Sequence, residues 1–284
     1  MYTKSIKTKE HGRYKVDNRP LCHGMPFVLT DAAHPRMVLK SGSHFLVLDQ
    51  AASVPACNTL GYGYYRYDTR HIGEWEMTLN GVPMSLLSTN ISEGYSATFL
   101  HTNVQVDGIP QQNIIVQRDI VLHDLLWEKI TVENFLNACI ECELTFHFQT
   151  DFADMFEVRG MNREKRGERM IPVISKDQTS LFLAYRGIDN VLLETLIEFR
   201  GLKPHKIQDG NVTFKIELNN RSRQEFEICV STAQNGKELT PNSSRIGFDK
   251  ARELADQSYK DWSATGVEIK TDHELFNMSI ERGF

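Results

Sequence analysis

The chain has 284 residues, of which 40% are hydrophobic and 24% are charged, and its formal net charge is −5. This length and hydrophobic content are sufficient to bury a full core, either as one large β domain or as two smaller units. A mildly acidic protein without a concentrated basic patch lacks the electrostatic signature of nucleic-acid binding, so we expect no nucleic-acid partner.

No segment predicts membrane insertion or export. Residues 1–19 are polar and basic, without the apolar core of a signal peptide, and no stretch approaches the roughly 20 apolar residues of a membrane span. The cysteines are scattered and odd in number: Cys22, Cys57, Cys139, Cys142 and Cys229. Because a chain of this size does not need disulfides for stability, we expect reduced thiols, a cytoplasmic location and no membrane partner.

Short segments of alternating polarity predict β-strands through most of the chain. These segments are 43–49, 75–80, 113–122, 126–135, 140–149, 181–185, 191–199, 212–218 and 226–230. The alternation is cleanest in 140–149, and a period of two is typical of an antiparallel strand with one buried face. Turn signals separate several segments: Asn80-Gly81, Asp107-Gly108, Arg186-Gly187, Asp209-Gly210 and Asn235-Gly236.

The pattern becomes helical towards the C-terminus. Residues 248–262 have apolar side chains at helical spacing, and Thr271-Asp-His-Glu274 has the form of a capping box that opens a second helix. We therefore predict an all-β protein, a large two-sheet antiparallel β-sandwich with a short α-helical C-terminal extension. The predicted organisation is an N-terminal extension over 1–24, the sandwich over 25–246 and a helical segment over 247–284.

The densest cluster of chemistry-bearing residues follows the strand at 140–149. Asp151, Asp154, Glu157 and Arg159 alternate there with large apolar side chains. This mixture favours a partly buried place where an arginine and carboxylates satisfy each other, either a structural or domain-interface ion-pair corner or the wall of a polar-ligand site. A catalytic carboxylate pair is a third possibility, because Asp151 and Glu157 share a face of an extended strand and a turn could bring Asp151 to Asp154.

A second polar cluster, Tyr67-Asp68-Thr69-Arg70, lies in an aromatic-rich stretch. Residues two apart on a strand share a face, so we expect Asp68 and Arg70 to pair directly. The tyrosines suit a seam between sheets or domains, and they also suit contact with a sugar.

The remaining motifs predict no metal and no cofactor. Cys139 and Cys142 would point to opposite faces of a strand, and the histidines are dispersed without ligand spacing. The basic run 159–169 is interleaved with glutamates, which favours a solvated loop over an anion site.

The ordered motifs resemble a known family. In chain order they are YDTR at 67–70, Trp75, LNG at 79–81, DFADMFEVRG at 151–160 and RG at 166–167. Through these motifs the chain resembles the N-terminal domain of bacterial glycogen-debranching-enzyme-like proteins of the amylo-α-1,6-glucosidase type, over roughly residues 25–262. The resemblance implies a supersandwich-like β-sandwich followed by an (α/α)6 toroid, which carries the catalytic acid and base of a glycoside hydrolase. Residues 271–284 look like the first helix of that toroid, and we expect the rest of it to be absent from this chain.

The resemblance implies a role in carbohydrate metabolism, as a non-catalytic domain that packs on an (α/α)6 catalytic domain in cis or in trans and shapes its α-glucan site. We expect no catalytic residue in this chain, and whether it is itself an enzyme stays open. The candidates for substrate or domain-interface contact are Tyr65, Asp68, Arg70, Asp151, Asp154, Glu157 and Arg159. Tyr65 and Arg70 are expected to face the toroid.

Two other functions compete with this one. A stand-alone carbohydrate-binding or scaffold module would bind an α-glucan or oligosaccharide in an aromatic groove. A stand-alone glycosidase would need two carboxylates at hydrolytic spacing in a pocket. The domain hypothesis differs from both, because it predicts an exposed apolar docking face or self-association through that face.

Overall fold

The structure is a computed structural model that describes residues 14–19, 36–57, 60–106, 108–238, 246–266 and 269–283. The strands in these ranges pair in an antiparallel manner, and the helices are short. The predicted all-β antiparallel sandwich with a helical C-terminal extension is confirmed.

The first sheet has four strands in sequence order. They are β1 (Met37–Ser41), β2 (His44–Leu48), β3 (Gly63–Arg66) and β4 (Thr69–Ile72). All four residues of β3 are buried, so both of its faces are covered by other parts of the protein.

The second sheet has five strands in the order β16-β17-β11-β5-β6, and the third has ten, with a main path β12-β14-β15-β18-β10-β9-β8-β7. The five-stranded sheet contains β5 (Glu74–Leu79), β6 (Val82–Pro83), β11 (Ile140–Gln149), β16 (Lys206–Gln208) and β17 (Asn211–Leu218). The ten-stranded sheet contains β7 (Ser85–Glu93), β8 (Ser96–Thr102), β9 (Ile114–His123), β10 (Leu125–Asn134), β12 (Glu168–Arg169), β13 (Val173–Ile174), β14 (Ser180–Arg186), β15 (Leu192–Arg200), β18 (Arg223–Gln234) and β19 (Lys237–Glu238).

The core lies between the five-stranded and ten-stranded sheets. Phe146 of β11 contacts Phe226 of β18 edge-to-face, and Phe214 of β17 approaches Phe226 with 4.4 Å between ring centroids. Each of these rings is buried, and aromatic side chains bury large areas in such offset and edge-to-face arrangements. The alternation predicted for 140–149 therefore marks one face of the main core.

The predicted hairpin turn at Asn80-Gly81 is confirmed. Both residues have positive φ, 48° and 76°, as a two-residue turn between twisted antiparallel strands requires. Asp209-Gly210 and Asn235-Gly236 show the same pair of positive φ angles. Asp107 lies outside the described residues.

Three helices complete the described chain: α1 (Met155–Val158), α2 (Phe248–Ala264) and α3 (Glu274–Gly283). Helix α2 places Phe248, Ala251 and Ala255 on an apolar patch of the outer face of the ten-stranded sheet, formed by Tyr95, Val121, Leu125, Trp127 and Cys229. None of the described helices is both long and apolar enough to cross a lipid bilayer.

The predicted capping box at Thr271 and Glu274 is wrong. Helix α3 begins at Glu274, and the imidazole Nδ1 of His273 accepts a hydrogen bond from the Phe276 backbone N–H (3.2 Å). The Thr271 hydroxyl instead bonds to Asn277 Oδ1 at 2.9 Å. The cap thus lies two residues later than the sequence pattern indicated.

The prediction of reduced cysteines is wrong at one position. Cys57 is disulfide-bonded, whereas Cys139, Cys142 and Cys229 are reduced thiols. Cys22 lies outside the described residues. Because disulfides are rare in reducing compartments, the cysteines no longer support a cytoplasmic location, which stays a prediction.

Candidate functional site

The two motifs singled out in the sequence meet at one corner of the protein. The Arg70 backbone N–H donates to Ala153 O at 2.9 Å, and the Thr150 hydroxyl donates to Arg70 O at 3.3 Å. Thr69 also forms an isolated β-bridge with Asp154. Backbone hydrogen bonds therefore attach β4 to the chain that leaves β11.

An ion pair lies at the centre of this corner. Arg70 Nε donates to Asp151 Oδ1 at 3.0 Å, Nη2 contacts Oδ2, and Nη1 donates to Tyr62 O at 3.2 Å. The two side chains are only 11% and 21% exposed. Burial alone would raise the pKa of Asp151, but the charge and hydrogen bonds of Arg70 outweigh burial and lower it. The pair is therefore fully ionised at neutral pH.

Gly63 makes room for this ion pair. A Cβ at Gly63 would lie 2.6 Å from Arg70 Cδ and 2.7 Å from Ile72 O, and the glycine has φ of +152°. The aliphatic part of Arg70 therefore crosses the space that any other residue at position 63 would fill. This close approach allows Arg70 to reach Asp151.

The expected pairing of Asp68 with Arg70 is wrong. Tyr67, with φ of +52°, and Asp68 form the exposed turn between β3 and β4, so Asp68 is not on a strand. Tyr65 is buried, its hydroxyl donates to Gly61 O at 2.9 Å, and burial raises its pKa. The structure therefore brings Tyr65, Arg70 and Asp151 together and leaves Asp68 in solvent.

The other two carboxylates cap helix α1. Asp154 Oδ1 accepts from the backbone N–H groups of Phe156 and Glu157 at 2.9 Å each, and Glu157 Oε2 accepts from the Asp154 N–H at 3.1 Å. This reciprocal arrangement is a capping box. Asp154 and Glu157 are thereby fixed by the local backbone.

The arginines that compensate these carboxylates come from the following loop. Arg163 pairs with Asp154, Arg166 Nε lies 2.8 Å from Glu157 Oε1, and Arg166 Nη2 donates to Asp151 O at 2.7 Å. Arg159, predicted as the partner, is instead exposed at the C-terminal end of α1. The predicted solvated loop is confirmed for residues 161–165, which are exposed and outside helix and strand, whereas Arg166 and Arg169 are half-buried and paired. We call Arg70, Asp151, Asp154, Glu157, Arg163 and Arg166 the carboxylate corner.

Phe152 turns the chain between β11 and α1. It has φ of +49°, a costly conformation for a bulky residue, and its side chain is buried. Its ring stacks on Tyr185 with 5.8 Å between centroids and meets His71 edge-on at 5.4 Å. These contacts hold the strained turn and tie the carboxylate corner to β14.

A cleft of about 300 Å³ opens beside the carboxylate corner. One wall is a short N-terminal stretch paired with the chain after β12: Asp17 N–H donates to Arg169 O, and Ile171 N–H donates to Lys15 O, both at 2.7 Å. We call the whole cleft the Tyr185 cleft. Its polar lining includes Asn18, Arg19, Asp151, Arg166, Glu168 and Tyr185. Within this lining the sequence had singled out Asp151 as a site residue.

Asp17 organises the charges on this wall. It lies 2.9 Å from Arg19 Nε and 3.0 Å from Arg169 Nη2, and Arg19 Nη1 lies 3.2 Å from Asp209. Burial would raise the pKa of Asp17, but the hydrogen bonds and charges of Arg19 and Arg169 lower it overall. Both arginines are therefore already compensated.

A family model described as the N-terminal domain of some glycogen debranching enzymes matches residues 39–229, which is most of the chain. The chain belongs to this family of debranching-enzyme N-terminal domains. The match includes the YDTR turn, the carboxylate corner and Tyr185, whereas the N-terminal wall of the Tyr185 cleft lies before it. A search of curated proteins gives no significant match.

Solved structures show distant similarity to this debranching-enzyme N-terminal domain. A protein described as a kojibiose phosphorylase from the human microbiome has a TM-score of 0.43 and 9% identity; the match covers 81% of this chain and 33% of the phosphorylase. An aldose 1-epimerase homologue from Escherichia coli K12 has a TM-score of 0.37 and 8% identity, covering 70% of this chain and 99% of that protein. The heparan sulfate lyase HepC from Pedobacter heparinus has a TM-score of 0.33 and 11% identity, covering 79% of this chain and 42% of the lyase. The chain thus spans about a third of the phosphorylase.

The carboxylates of this family member are engaged in structural contacts. Burial raises the pKa of Glu157, as a general acid requires, although Arg166 partly opposes the shift. However, one Glu157 oxygen accepts the Asp154 N–H and the other pairs with Arg166. Within the described ranges, no three His, Cys, Asp or Glu residues form a group that could hold a metal ion.

Sequence reasoning missed Gly63, Arg163, Arg166 and Tyr185 as parts of this region. The capping box was detectable, since Asp154-Met-Phe-Glu157 has the spacing of an N-cap acid and an N3 glutamate. The arginines after it were visible, but their alternation with glutamates suggested solvent exposure. Nothing local indicated Gly63 or Tyr185, because their roles depend on contacts across sheets.

Proposed function

We propose that this chain is the non-catalytic N-terminal domain, or a short form, of a glycogen-debranching α-glucosidase of the amylo-α-1,6-glucosidase type. In this role it packs on an (α/α)6 catalytic domain in cis or in trans and shapes the α-glucan site of that domain. The observation that carries the proposal is the family match over residues 39–229. The engaged carboxylates support it, because they favour a positioning role over acid–base chemistry.

Exposed apolar side chains beside the carboxylate corner support a docking role. Tyr67, Phe156 and Met161 are 57%, 59% and 54% exposed. The bridge between Thr69 and Asp154 places Tyr67 and Phe156 on the two paired segments. Aromatic residues, methionine and arginine are the types enriched in protein interfaces. The proposed docking face is therefore the surface around Tyr67, Phe156 and Met161.

Helix α3 offers a second apolar surface. Leu275, Phe276 and Met278 are 69%, 54% and 44% exposed. Exposed apolar groups of this kind suit either a second domain or self-association. Self-association through a docking face therefore remains part of the proposal.

Complex formation tests the docking proposal. The chain would be mixed with the (α/α)6 domain of a debranching-type protein, and the complex measured by size-exclusion chromatography with light scattering. Hydrolysis of a branched α-glucan would be followed in the same samples. We expect a complex and higher hydrolysis with the chain, and loss of both with the double variant Phe156→Ser, Met161→Ser.

Ile188→Ser is the matched control, because Ile188 is 73% exposed in the turn between β14 and β15. This variant should bind and stimulate like the natural sequence. Absence of any complex, or a complex unaffected by the double variant, would contradict the docking face. Hydrolysis by the chain alone would contradict the non-catalytic role.

A second candidate function is a stand-alone carbohydrate-binding module. The observation that favours it is the Tyr185 cleft, which is formed entirely within this chain. Binding of an α-glucan without any catalytic partner would support that alternative.

A further inference from the structure

The Tyr185 cleft is a candidate ligand site separate from the proposed docking face. We propose that it binds a neutral oligosaccharide, with Asn18, Glu168 and Tyr185 forming hydrogen bonds to the sugar hydroxyl groups. The inference deepens the proposed function and rests on it for the choice of an α-glucan as the sugar. Its volume of about 300 Å³ is at the lower end of the range for ligand pockets, so the cleft fits a short saccharide segment.

The balance of charge in the cleft favours a neutral ligand over an anion. Its lining has the carboxylates of Asp17, Asp151 and Glu168 and the guanidinium groups of Arg19, Arg166 and Arg169. The arginines are already paired: Arg19 and Arg169 with Asp17, and Arg166 with Glu157. A phosphate or carboxylate ligand would therefore meet no uncompensated positive charge, which anion sites normally provide.

The polar groups left without partners include both donors and acceptors. Among the described residues, the exposed Glu168 carboxylate and the exposed Asn18 amide form no hydrogen bond or ion pair with the protein and are open to a ligand. The Tyr185 hydroxyl accepts from the Gly167 N–H at 2.7 Å and keeps its own proton for donation. A sugar hydroxyl both donates and accepts, whereas an anion only accepts, so this mixed set matches a polyhydroxy compound.

Two buried donors on the cleft wall lack a well-formed hydrogen bond: Arg166 Nε, although it lies 2.8 Å from Glu157 Oε1, and Arg169 Nε. Arg169 Nε is buried and has no acceptor among the described residues, although the other nitrogens of Arg169 are paired. An unsatisfied buried donor is destabilising. A ligand hydroxyl, or a water between ligand and wall, would supply the missing acceptor.

The Tyr185 ring, and the backbone that carries Glu168 and Asn18, are held in place before a ligand arrives. The Tyr185 ring stacks on Phe152, and Arg166 lies over it with 5.7 Å between the guanidinium carbon and the ring centroid. The backbone of Glu168 is paired with that of Arg186 in the sheet, and the wall that carries Asn18 is hydrogen-bonded to the 169–171 segment. Such preorganisation lowers the entropy lost on binding.

Titration of the full chain with maltotriose tests the proposal, with isothermal calorimetry as the readout. We expect millimolar affinity for the natural sequence and weaker binding for Glu168→Gln, Asn18→Ala and Tyr185→Phe. Because Glu168→Gln removes the charge but keeps a hydrogen-bond acceptor, it should raise Kd about 3- to 10-fold. Glu143→Gln, which changes an exposed carboxylate near the other end of β11, should leave Kd unchanged.

The competing outcomes are distinct. No binding of maltotriose, or equal binding by the natural sequence and all three cleft variants, would overturn the proposal. Tight binding of inorganic phosphate without maltotriose binding would also overturn it. Thermal unfolding of each variant shows whether it folds, and Tyr185→Phe keeps the ring that stacks on Phe152.

The maltotriose titration tests the cleft proposal separately from the docking proposal. It uses the chain without a catalytic domain, so absence of complex formation with an (α/α)6 domain does not affect it. Conversely, a chain that forms the complex but does not bind maltotriose retains the proposed domain role and loses the cleft site.

Discussion

The Arg70 guanidinium and the Asp151 carboxylate form a two-point ion pair between residues that lie 81 positions apart in the sequence. Through this pair the β3–β4 hairpin holds the strained turn that follows β11. That turn sets the position of helix α1 and of the Arg163–Arg166 loop. It also positions one side of the Tyr185 cleft. Structural stability and the candidate site therefore share one contact.

Breaking this ion pair should destabilise the protein. Arg70→Gln or Asp151→Asn leaves a largely buried group without its partner, so we expect the free energy of unfolding in urea to fall by about 3 kcal/mol. Arg223→Gln is the control, because the Arg223–Glu225 pair is largely exposed and such pairs contribute about 0–1 kcal/mol. Equal losses in Arg70→Gln and Arg223→Gln would show that the buried pair has no special role.

Gly63→Ala should disturb the same contact from its other side. The new Cβ would displace the Arg70 side chain or the Ile72 carbonyl, and φ is positive. We expect a loss of about 3 kcal/mol or more, against about 1 kcal/mol for Gly42→Ala. Gly42 is the matched control because it also has positive φ, but a Cβ added there would have no atom within 4 Å. Similar losses for the two variants in urea unfolding would contradict the packing argument.

Three buried histidines should make the protein sensitive to mild acid. Burial lowers the pKa of His44 to about 4, of His71 to about 3 and of His101 to about 4. The unfolded chain therefore binds more protons as the pH falls below the usual histidine pKa of about 6.5. The free energy of unfolding therefore has its full value above about pH 6.5. Below that pH it should decrease by about 1.4 kcal/mol per pH unit for each of these histidines.

Urea unfolding at several pH values from neutral to pH 5 checks this slope. His101→Gln should reduce it, because one proton-binding difference is removed. His147 is the control, because its effect on the pH dependence of stability has the opposite sign. Its hydrogen bond to Glu74 raises its pKa. The stability that His147 contributes is therefore present in acid and is lost as the pH rises through the raised pKa. Stability that is constant or rises on acidification would contradict the prediction.

Helix α2 should be necessary for a stable sandwich. A chain that ends at residue 246 would uncover Trp127 and lose the buried Phe248 side chain. We expect a loss of about 3–5 kcal/mol, similar to Phe248→Ala within the full chain. A chain that ends at residue 266 lacks α3 but keeps α2, and it should unfold at nearly the same urea concentration as the full chain. Trp127 fluorescence provides a second readout of the uncovered face.

The sequence predicted β11, whose burial alternates, and missed β3 and β7, whose burial does not. In β11 the buried positions recur at every second residue, and its range was predicted without error. All of β3 is buried, whereas β7 has Leu87 and Ile91 exposed, so neither shows a clear period of two. A period of two in the sequence reveals a strand that has one buried face and one exposed face. Both faces of β3 are buried, and β7 is largely exposed, so neither strand produces that pattern.

The candidate site was predictable as a location but not as a network. The sequence indicated that Asp151, Asp154 and Glu157 are compensated carboxylates. It suggested Arg159, the nearest arginine, as their ion-pair partner. The actual partners are Arg70, from another sheet, and Arg163 and Arg166, beyond a helix of four residues. Local spacing can show that charges need compensation, but the fold decides which arginine supplies it.

The wall of the Tyr185 cleft has a consequence for the order of folding. The Tyr14 hydroxyl donates a hydrogen bond to the Glu194 carboxylate, 180 positions away in the sequence. The Arg169 guanidinium donates to the backbone carbonyl of Arg19, 150 positions away. The entropy of closing such long loops must be overcome before these contacts contribute stability, so contacts of high sequence separation form slowly. We expect the β-hairpins to assemble first and this wall to join late. A nascent or partly unfolded molecule would then have a formed sandwich before it has a closed cleft.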